Sequence, residues 1–212
     1  MKWLIRTLMP LIVLSAGLCE GEDISFTSLG AVGAGIFIPT GDDADIARTS
    51  PIVQLAATVM FSSRMGFDAE FQYVPIQLES TTLTTAAHRK ATQLALMGGL
   101  RTTTSPLSSS TPRAYLAMRA GFARIAIRAN SAAYSGGWIG RSVDNQVNPN
   151  AGLGTTTVVR QKGFVLSPKA GAIIPIGNHN VLDLAISPMF IFDSGNIASQ
   201  YHITLSFGRI SK

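Results

Sequence analysis

Hydrophobic and polar residues alternate with a period of two along most of this chain. In the segment 66–76, Phe67 and Phe71 fall on one side, and Asp68 and Glu70 fall on the other. Such alternation is typical of a β-strand with one apolar face. The pattern predicts eight strands, at 25–38, 51–61, 66–76, 90–101, 113–127, 156–176, 181–192 and 198–209. No segment has the pattern of an amphipathic helix, so the predicted fold class is all-β.

One strand contains a break in this pattern. Within 113–127, Leu116, Met118 and Phe122 share a face, but Arg124 follows on that same face. One extra residue in the strand would restore the alternation. A β-bulge after Phe122 is therefore predicted.

The first 21 residues have the features of a secretory signal peptide. Residues 1–6 are cationic, and an apolar core ends in small residues near Gly17, which is too short for a spanning helix. Cleavage is expected between Gly17 and Gly21, which leaves 22–212 as one domain. Cys19 leaves open a lipidated N-terminus as an alternative, although Leu18 precedes it where such signals usually have Gly or Ala.

The number and length of the strands predict a closed antiparallel up-and-down barrel that crosses a membrane. Most predicted strands are near the ~10 residues that a tilted spanning strand needs, and closure leaves no unpaired edge in lipid. Short turns at 62–65 and 177–180 alternate with long connections at 39–50, 77–89 and 128–155. Two connections depart from this order, because 102–111 is long for a periplasmic turn and 193–197 is short for an external loop.

Charged residues are scarce, and several of them lie opposite the apolar faces. Only 14% of the residues are charged, while 46% are hydrophobic. The interior of an eight-stranded barrel holds only side chains, and charges placed there must pair. The predicted lumen charge network consists of Asp68, Glu70, Arg119, Lys169 and Asp183. The alternative is that some of these residues lie near the mouths of the barrel and are hydrated.

Aromatic residues lie near many of the predicted strand ends. They are Phe37, Phe61, Phe67, Tyr73, Tyr115, Phe164, Phe190, Phe192, Tyr201 and Phe207. In a membrane barrel, such residues form girdles at the two interfaces. The alternative is that they are ordinary core aromatics.

The segments Leu29–Gly41 and Tyr201–Gly208 resemble the first and last strands of small bacterial outer-membrane barrels. The family is the eight-stranded outer-membrane β-barrel superfamily, which includes the barrel of outer-membrane protein A and its smaller relatives. The resemblance implies insertion by the barrel-assembly machinery and contact with outer-membrane lipid. The sequence leaves the oligomeric state open, with a monomer favoured. Such barrels commonly end on an aromatic residue, whereas this chain continues past Phe207 to Lys212.

The sequence predicts no catalytic, cofactor or metal site. His88, His179 and His202 have no spacing typical of metal ligands, and Gly33 and Gly35 lie within a strand, where a phosphate loop is not expected. His202 is predicted to face the lumen and to hydrogen-bond its neighbours. The net charge of +5 is spread along the chain, so no nucleic-acid partner is predicted.

These observations favour a non-enzymatic integral outer-membrane barrel. Its predicted role is envelope structure, surface interaction or adhesion through the extracellular loops, which contain no motif that identifies a partner. A narrow channel for small solutes is the first alternative. A secreted or periplasmic barrel that binds a small apolar ligand is the second.

Overall fold

Eight antiparallel strands form a closed barrel. The computed structural model describes residues 27–78, 89–130, 138–139, 156–193 and 196–211, with the backbone alone at 89–90, 127–130 and 156–159. The strands are β1 (Thr27–Pro39), β2 (Ser50–Met60), β3 (Met65–Leu78), β4 (Arg89–Thr103), β5 (Arg113–Asn130), β6 (Thr156–Pro175), β7 (Asn180–Asp193) and β8 (Asn196–Ser211). Each strand pairs with the next, and β8 pairs with β1. The predicted up-and-down barrel is confirmed.

The predicted strands lie within three residues of the observed ones wherever the structure describes their ends. Alternation succeeds because each strand has one face in the lumen and one face outside. Along β3, for example, Asp68, Glu70 and Gln72 are buried, whereas Phe67 and Phe71 are exposed. The predicted signal peptide, at 1–21, lies outside the described residues.

The bulge predicted after Phe122 is wrong. The ladders on both sides of β5 continue without interruption, with Phe122 opposite Phe164 and Arg124 opposite Lys162 on β6. Arg124 is exposed on the outer face, and Ile125 is buried in the lumen. Arg124 lies beyond Phe122 toward one end of the strand, where a charge on the outer face costs far less than at a bilayer midplane. The outer face becomes polar at Arg124, while the alternation of inward and outward side chains continues unchanged.

The two ends of the barrel differ. Strand β1 begins and β8 ends at one of them, which we call the terminal end, together with the β2–β3, β4–β5 and β6–β7 turns. The other is the loop end, where a 3-10 helix at Gly41–Asp45 follows β1. The β6–β7 turn is short, and Gly177 adopts a φ of 153° that favours glycine. Within the described residues, no helix is long and apolar enough to cross a membrane.

Candidate functional site: the filled lumen

The predicted network residues all lie in the lumen. They are Asp68, Glu70, Arg119, Lys169 and Asp183, and each is at most 2% exposed. They do not form one continuous network. The structure divides them between two ion clusters, one centred on Glu70 and the other on Arg101, with the Arg101 cluster nearer the terminal end.

The Glu70 cluster joins β3, β5 and β6. Glu70 Oε2 lies 2.6 Å from Arg119 Nη1 and accepts a hydrogen bond from Lys169 Nζ at 2.5 Å. Its other carboxylate oxygen accepts a hydrogen bond from Gln72 Nε2 at 2.7 Å. A carboxylate removed from water is stabilised only by such close partners. Two cations on one carboxylate therefore link three strands across the interior.

Two prolines interrupt the β6–β7 ladder beside this cluster. Pairing stops after Leu166↔Phe190 and resumes at Ala170↔Ile186, and in this register Pro168 lies opposite Pro188. Neither proline has a backbone N–H to donate to the other strand.

Serine hydroxyls replace the missing donors. Ser167 Oγ donates to the Pro188 carbonyl at 3.0 Å, and Ser187 Oγ donates to the Pro168 carbonyl at 3.3 Å. Arg119 Nη2 donates to both hydroxyls, at 3.0 and 2.6 Å. Arg119 therefore connects the proline seam to Glu70.

The Arg101 cluster joins β3, β4, β5 and β7. Arg101 Nη2 lies 2.9 Å from Asp68 Oδ1 and 3.9 Å from Asp183 Oδ2. Its guanidinium stacks 4.0 Å from the centroid of the Tyr115 ring, and the Tyr115 hydroxyl donates to Asp183 Oδ1 at 2.8 Å. Gly171 leaves room for that ring, because a Cβ there would lie 2.6 Å from its atoms.

Arg101 is the main residue that the predicted network omits. It alternates with Leu100 on β4, so its position in the strand already indicates that it faces the lumen. With Arg101 included, three cations and three carboxylates occupy the middle of the barrel. The contacts of Ser167 and Ser187 could not be predicted from the strand pattern, because they depend on prolines that meet only in the folded barrel.

An apolar layer closes the terminal end of the lumen. Leu107, in the β4–β5 turn, is 2% exposed and packs with Leu29, Met60 and Ile173. Arg113 holds this turn by donating to the carbonyls of Pro106, Leu107 and Ser109. The unexpected length of 102–111 thus has a structural reason, because the turn supplies part of the core.

A second apolar layer closes the loop end. Trp138 and Ile139 are 0% and 1% exposed and belong to the same cluster as Phe37, Ile52 and Val165 on the strands. The Ile139 backbone N–H donates to Asp43 Oδ1 in the 3-10 helix at 2.9 Å. The lumen therefore contains, in order, an apolar layer, the two ion clusters and another apolar layer.

His202 faces this interior, as predicted, but the predicted hydrogen bonds are absent. No described residue hydrogen-bonds to either ring nitrogen. The ring packs against Phe37 instead, with centroids 5.8 Å apart. Ser187 lies opposite His202 in the β7–β8 ladder, but the Ser187 hydroxyl is within hydrogen-bond distance of Arg119, Ser167 and the Pro168 carbonyl instead.

The outer surface of the barrel is an apolar belt. Among the residues that the structure describes, twenty-seven large hydrophobic side chains are exposed, including Leu116 at 63% and Phe122 at 69%. A surface of this kind is suited to lipid and not to water. It argues against the secreted or periplasmic alternative.

Two of the predicted girdle aromatics are misplaced. Phe37 and Tyr115 face the lumen, where they are 0% and 2% exposed. Each lies on the inward-facing parity of its strand, so the core alternative holds for these two. Phe61 lies in the β2–β3 turn, and the other predicted aromatics lie on the outer face.

Comparison with solved structures defines the fold. Neisserial surface protein A is 12% identical, with a TM-score of 0.52 over 88% of this chain and 96% of that chain. Ail, the attachment invasion locus protein of Yersinia pestis, is 11% identical, with a TM-score of 0.53 over 87% and 98%. OprG of Pseudomonas aeruginosa is 12% identical, with a TM-score of 0.56 over 90% and 98%. The fold is that of the small outer-membrane barrels. No family model and no curated protein matches the sequence.

The chemistry of the site is that of buried, paired charges. Its carboxylates are held by cations, a tyrosine hydroxyl and neutral hydrogen-bond donors. In the part of the chain that the structure describes, no group of three His, Cys, Asp or Glu side chains could hold a metal ion. What the lumen offers is a set of close ion pairs that joins five strands, β3 to β7.

Proposed function

We propose that this protein is a non-conducting outer-membrane barrel that acts through the surface at its loop end. The single observation that carries the proposal is the filled lumen. Three cations and three carboxylates lie between two apolar layers, and these ion-cluster side chains are at most 2% exposed. An ion crossing the barrel would have to displace both apolar layers and separate buried ion pairs, which is expensive in a low-dielectric interior.

The loop end is the surface through which this barrel would contact a partner. Apolar side chains cover the surface that faces lipid and buried side chains fill the lumen, so the loop end is the surface that a partner outside the membrane could contact. Ail is named for attachment and invasion, and another structure of similar fold is named as a surface protein. A role in envelope structure, surface interaction or adhesion agrees with this arrangement and requires no catalysis.

Planar-bilayer recording tests the closed lumen. The purified barrel is first shown to be folded by heat-modifiable gel mobility and to be inserted by flotation with lipid vesicles. We expect the inserted barrel to give no steady ion conductance above that of the protein-free bilayer. A reproducible single-channel conductance from the same preparation would contradict the proposal and support the narrow-channel alternative.

A further inference from the structure

Charge on the outer face of the strands has one sign. The exposed charged side chains described there are Arg124, Arg160, Lys162 and Arg209. The carboxylates of the described strands lie on the lumen side, including the one in the Glu70 cluster and the two in the Arg101 cluster. Arg209 lies at the terminal end, whereas the other three cations lie on β5 and β6 toward the loop end. The outer face therefore carries a local basic patch.

Arg124 and Lys162 form the centre of this patch. They are directly opposite each other in the β5–β6 ladder. Like charges in this position repel each other. Among the described residues, neither side chain forms an ion pair. An anion between them would remove the repulsion.

A row of aromatic rings fixes the level of this pair relative to the membrane. Phe122 and Phe164 are the outward-facing pair two residues nearer the barrel middle, with ring centroids 6.0 Å apart. Phe192 continues the row, at 6.1 Å from Phe164. Outward aromatics in membrane barrels mark the interface between hydrocarbon and head groups. Arg124 and Lys162 lie about 7 Å beyond the row, at two residues of strand rise, which is the level of lipid head groups.

A groove runs from the cations toward the middle of the belt. It has a volume of about 450 Å³, and both cations contribute to its lining. The apolar part of the lining comes from Phe71, Leu94, Leu96 and Phe122. The groove thus combines a hydrocarbon surface with two positive charges, and this combination fits an amphiphile better than it fits a free ion.

We propose that Arg124 and Lys162 bind the phosphate of an acylated, phosphorylated lipid in the outer leaflet, with an acyl chain in the groove beside Leu94 and Phe122. Guanidinium and ammonium groups donate strong, charge-assisted hydrogen bonds to phosphate oxygens. The acyl chain would cover the apolar lining of the groove, which adjoins the two cations. This proposal rests on the outer-membrane placement given above.

Native mass spectrometry of the folded barrel, titrated with diphosphoryl lipid A in a neutral detergent, measures this binding. We expect the variant R124Q/K162Q to bind the lipid at least about tenfold more weakly, as for the loss of a charge-assisted hydrogen bond. The matched control is Arg209→Gln, which removes an outward cation at the terminal end and should bind like the unchanged protein. An equal loss in the control variant would indicate general charge attraction and overturn the proposal.

Two further ligands separate the phosphate from the acyl chains. Lipid A without its phosphates should bind the unchanged barrel about as weakly as diphosphoryl lipid A binds R124Q/K162Q, and equal binding of the two lipids would overturn the phosphate contact. Inorganic phosphate at equimolar concentration should displace no lipid, and complete displacement would overturn the lipid as the occupant.

Flotation with neutral vesicles keeps this proposal distinct from the proposed function. A barrel that floats with the vesicles and binds no phosphorylated lipid contradicts the lipid site alone. A folded barrel that fails to float contradicts the outer-membrane placement itself.

Discussion

Strands β5 and β6 carry cations on both of their faces, but only the cations on the inner face are paired with a carboxylate. Inside, Arg119 and Lys169 converge on Glu70, at 2.6 and 2.5 Å. Outside, Arg124 and Lys162 face each other directly, with no carboxylate on the outer face of the described strands. The same residue types on the same strands are therefore neutralised on one face and left in excess on the other.

The difference shows what burial requires of a charge. Arg119 and Lys169 are at most 2% exposed, so an unpaired charge at either position would keep most of its desolvation cost. Arg124 and Lys162 remain exposed near the end of the belt, where water or head groups can solvate them. Pairing inside offsets the desolvation cost of the buried charges, whereas the excess outside is available for a ligand.

The largest expected effect comes from removing the inner carboxylate. Glu70→Gln leaves Arg119 and Lys169 buried without their counter-charge. We expect the free energy of unfolding to fall by about 3–5 kcal/mol, the usual cost of breaking a buried ion pair from one side. Urea unfolding of the barrel reconstituted in vesicles measures it.

A second variant serves as the control for that measurement. Glu70→Gln combined with Lys169→Met removes one charge of each sign and should recover part of the lost stability. A loss below about 1 kcal/mol in the single variant, which is typical of exposed pairs, would show that the inner cations do not depend on Glu70.

The proline seam gives an intermediate effect. Changing both Ser167 and Ser187 to Ala removes the donors to the Pro168 and Pro188 carbonyls and two partners of Arg119. We expect a loss of about 1–3 kcal/mol, the range for leaving a buried polar group unsatisfied. Amide hydrogen exchange should also become faster along β6 and β7 than along the uninterrupted β5–β6 ladder. Equal protection of the two ladders would mean that the hydroxyls do not support the seam.

The smallest expected effect on stability comes from the outer pair. R124Q/K162Q removes a repulsion between exposed cations, so in neutral lipid the free energy of unfolding should change by less than about 1 kcal/mol, toward greater stability. The same urea titration measures this change. A large loss of stability would show that the two cations have essential partners within the protein, and the contrast between the two faces would disappear.

Much of the candidate site follows from alternation. Asp68, Glu70, Arg119, Lys169 and Asp183 are all assigned to the lumen by their position in a strand. The same alternation places Arg101 in the lumen and turns Phe37 and Tyr115 away from lipid. The omission of Arg101 from the predicted network and the assignment of the two aromatics to the girdles both disagree with that alternation. The predicted bulge after Phe122 has the opposite cause, since it treats Arg124 as an error of phase when it marks the end of the apolar belt.

Other features could not be read from the chain. Leu107 and Trp138 lie outside the strands, and nothing in their local sequence indicates that they fill the two ends of the lumen. The opposition of Pro168 and Pro188 depends on the register between β6 and β7. The partners of Arg119 likewise depend on how far each strand is shifted against the next.

The sequence by itself determined the number of strands, their approximate limits and the face on which most side chains lie. These are local properties, because a strand turns successive side chains to opposite faces. The tertiary structure decided which side chains meet. Glu70 and Lys169 are 99 residues apart in the chain, and they come into contact only because the barrel closes in one register across a narrow interior.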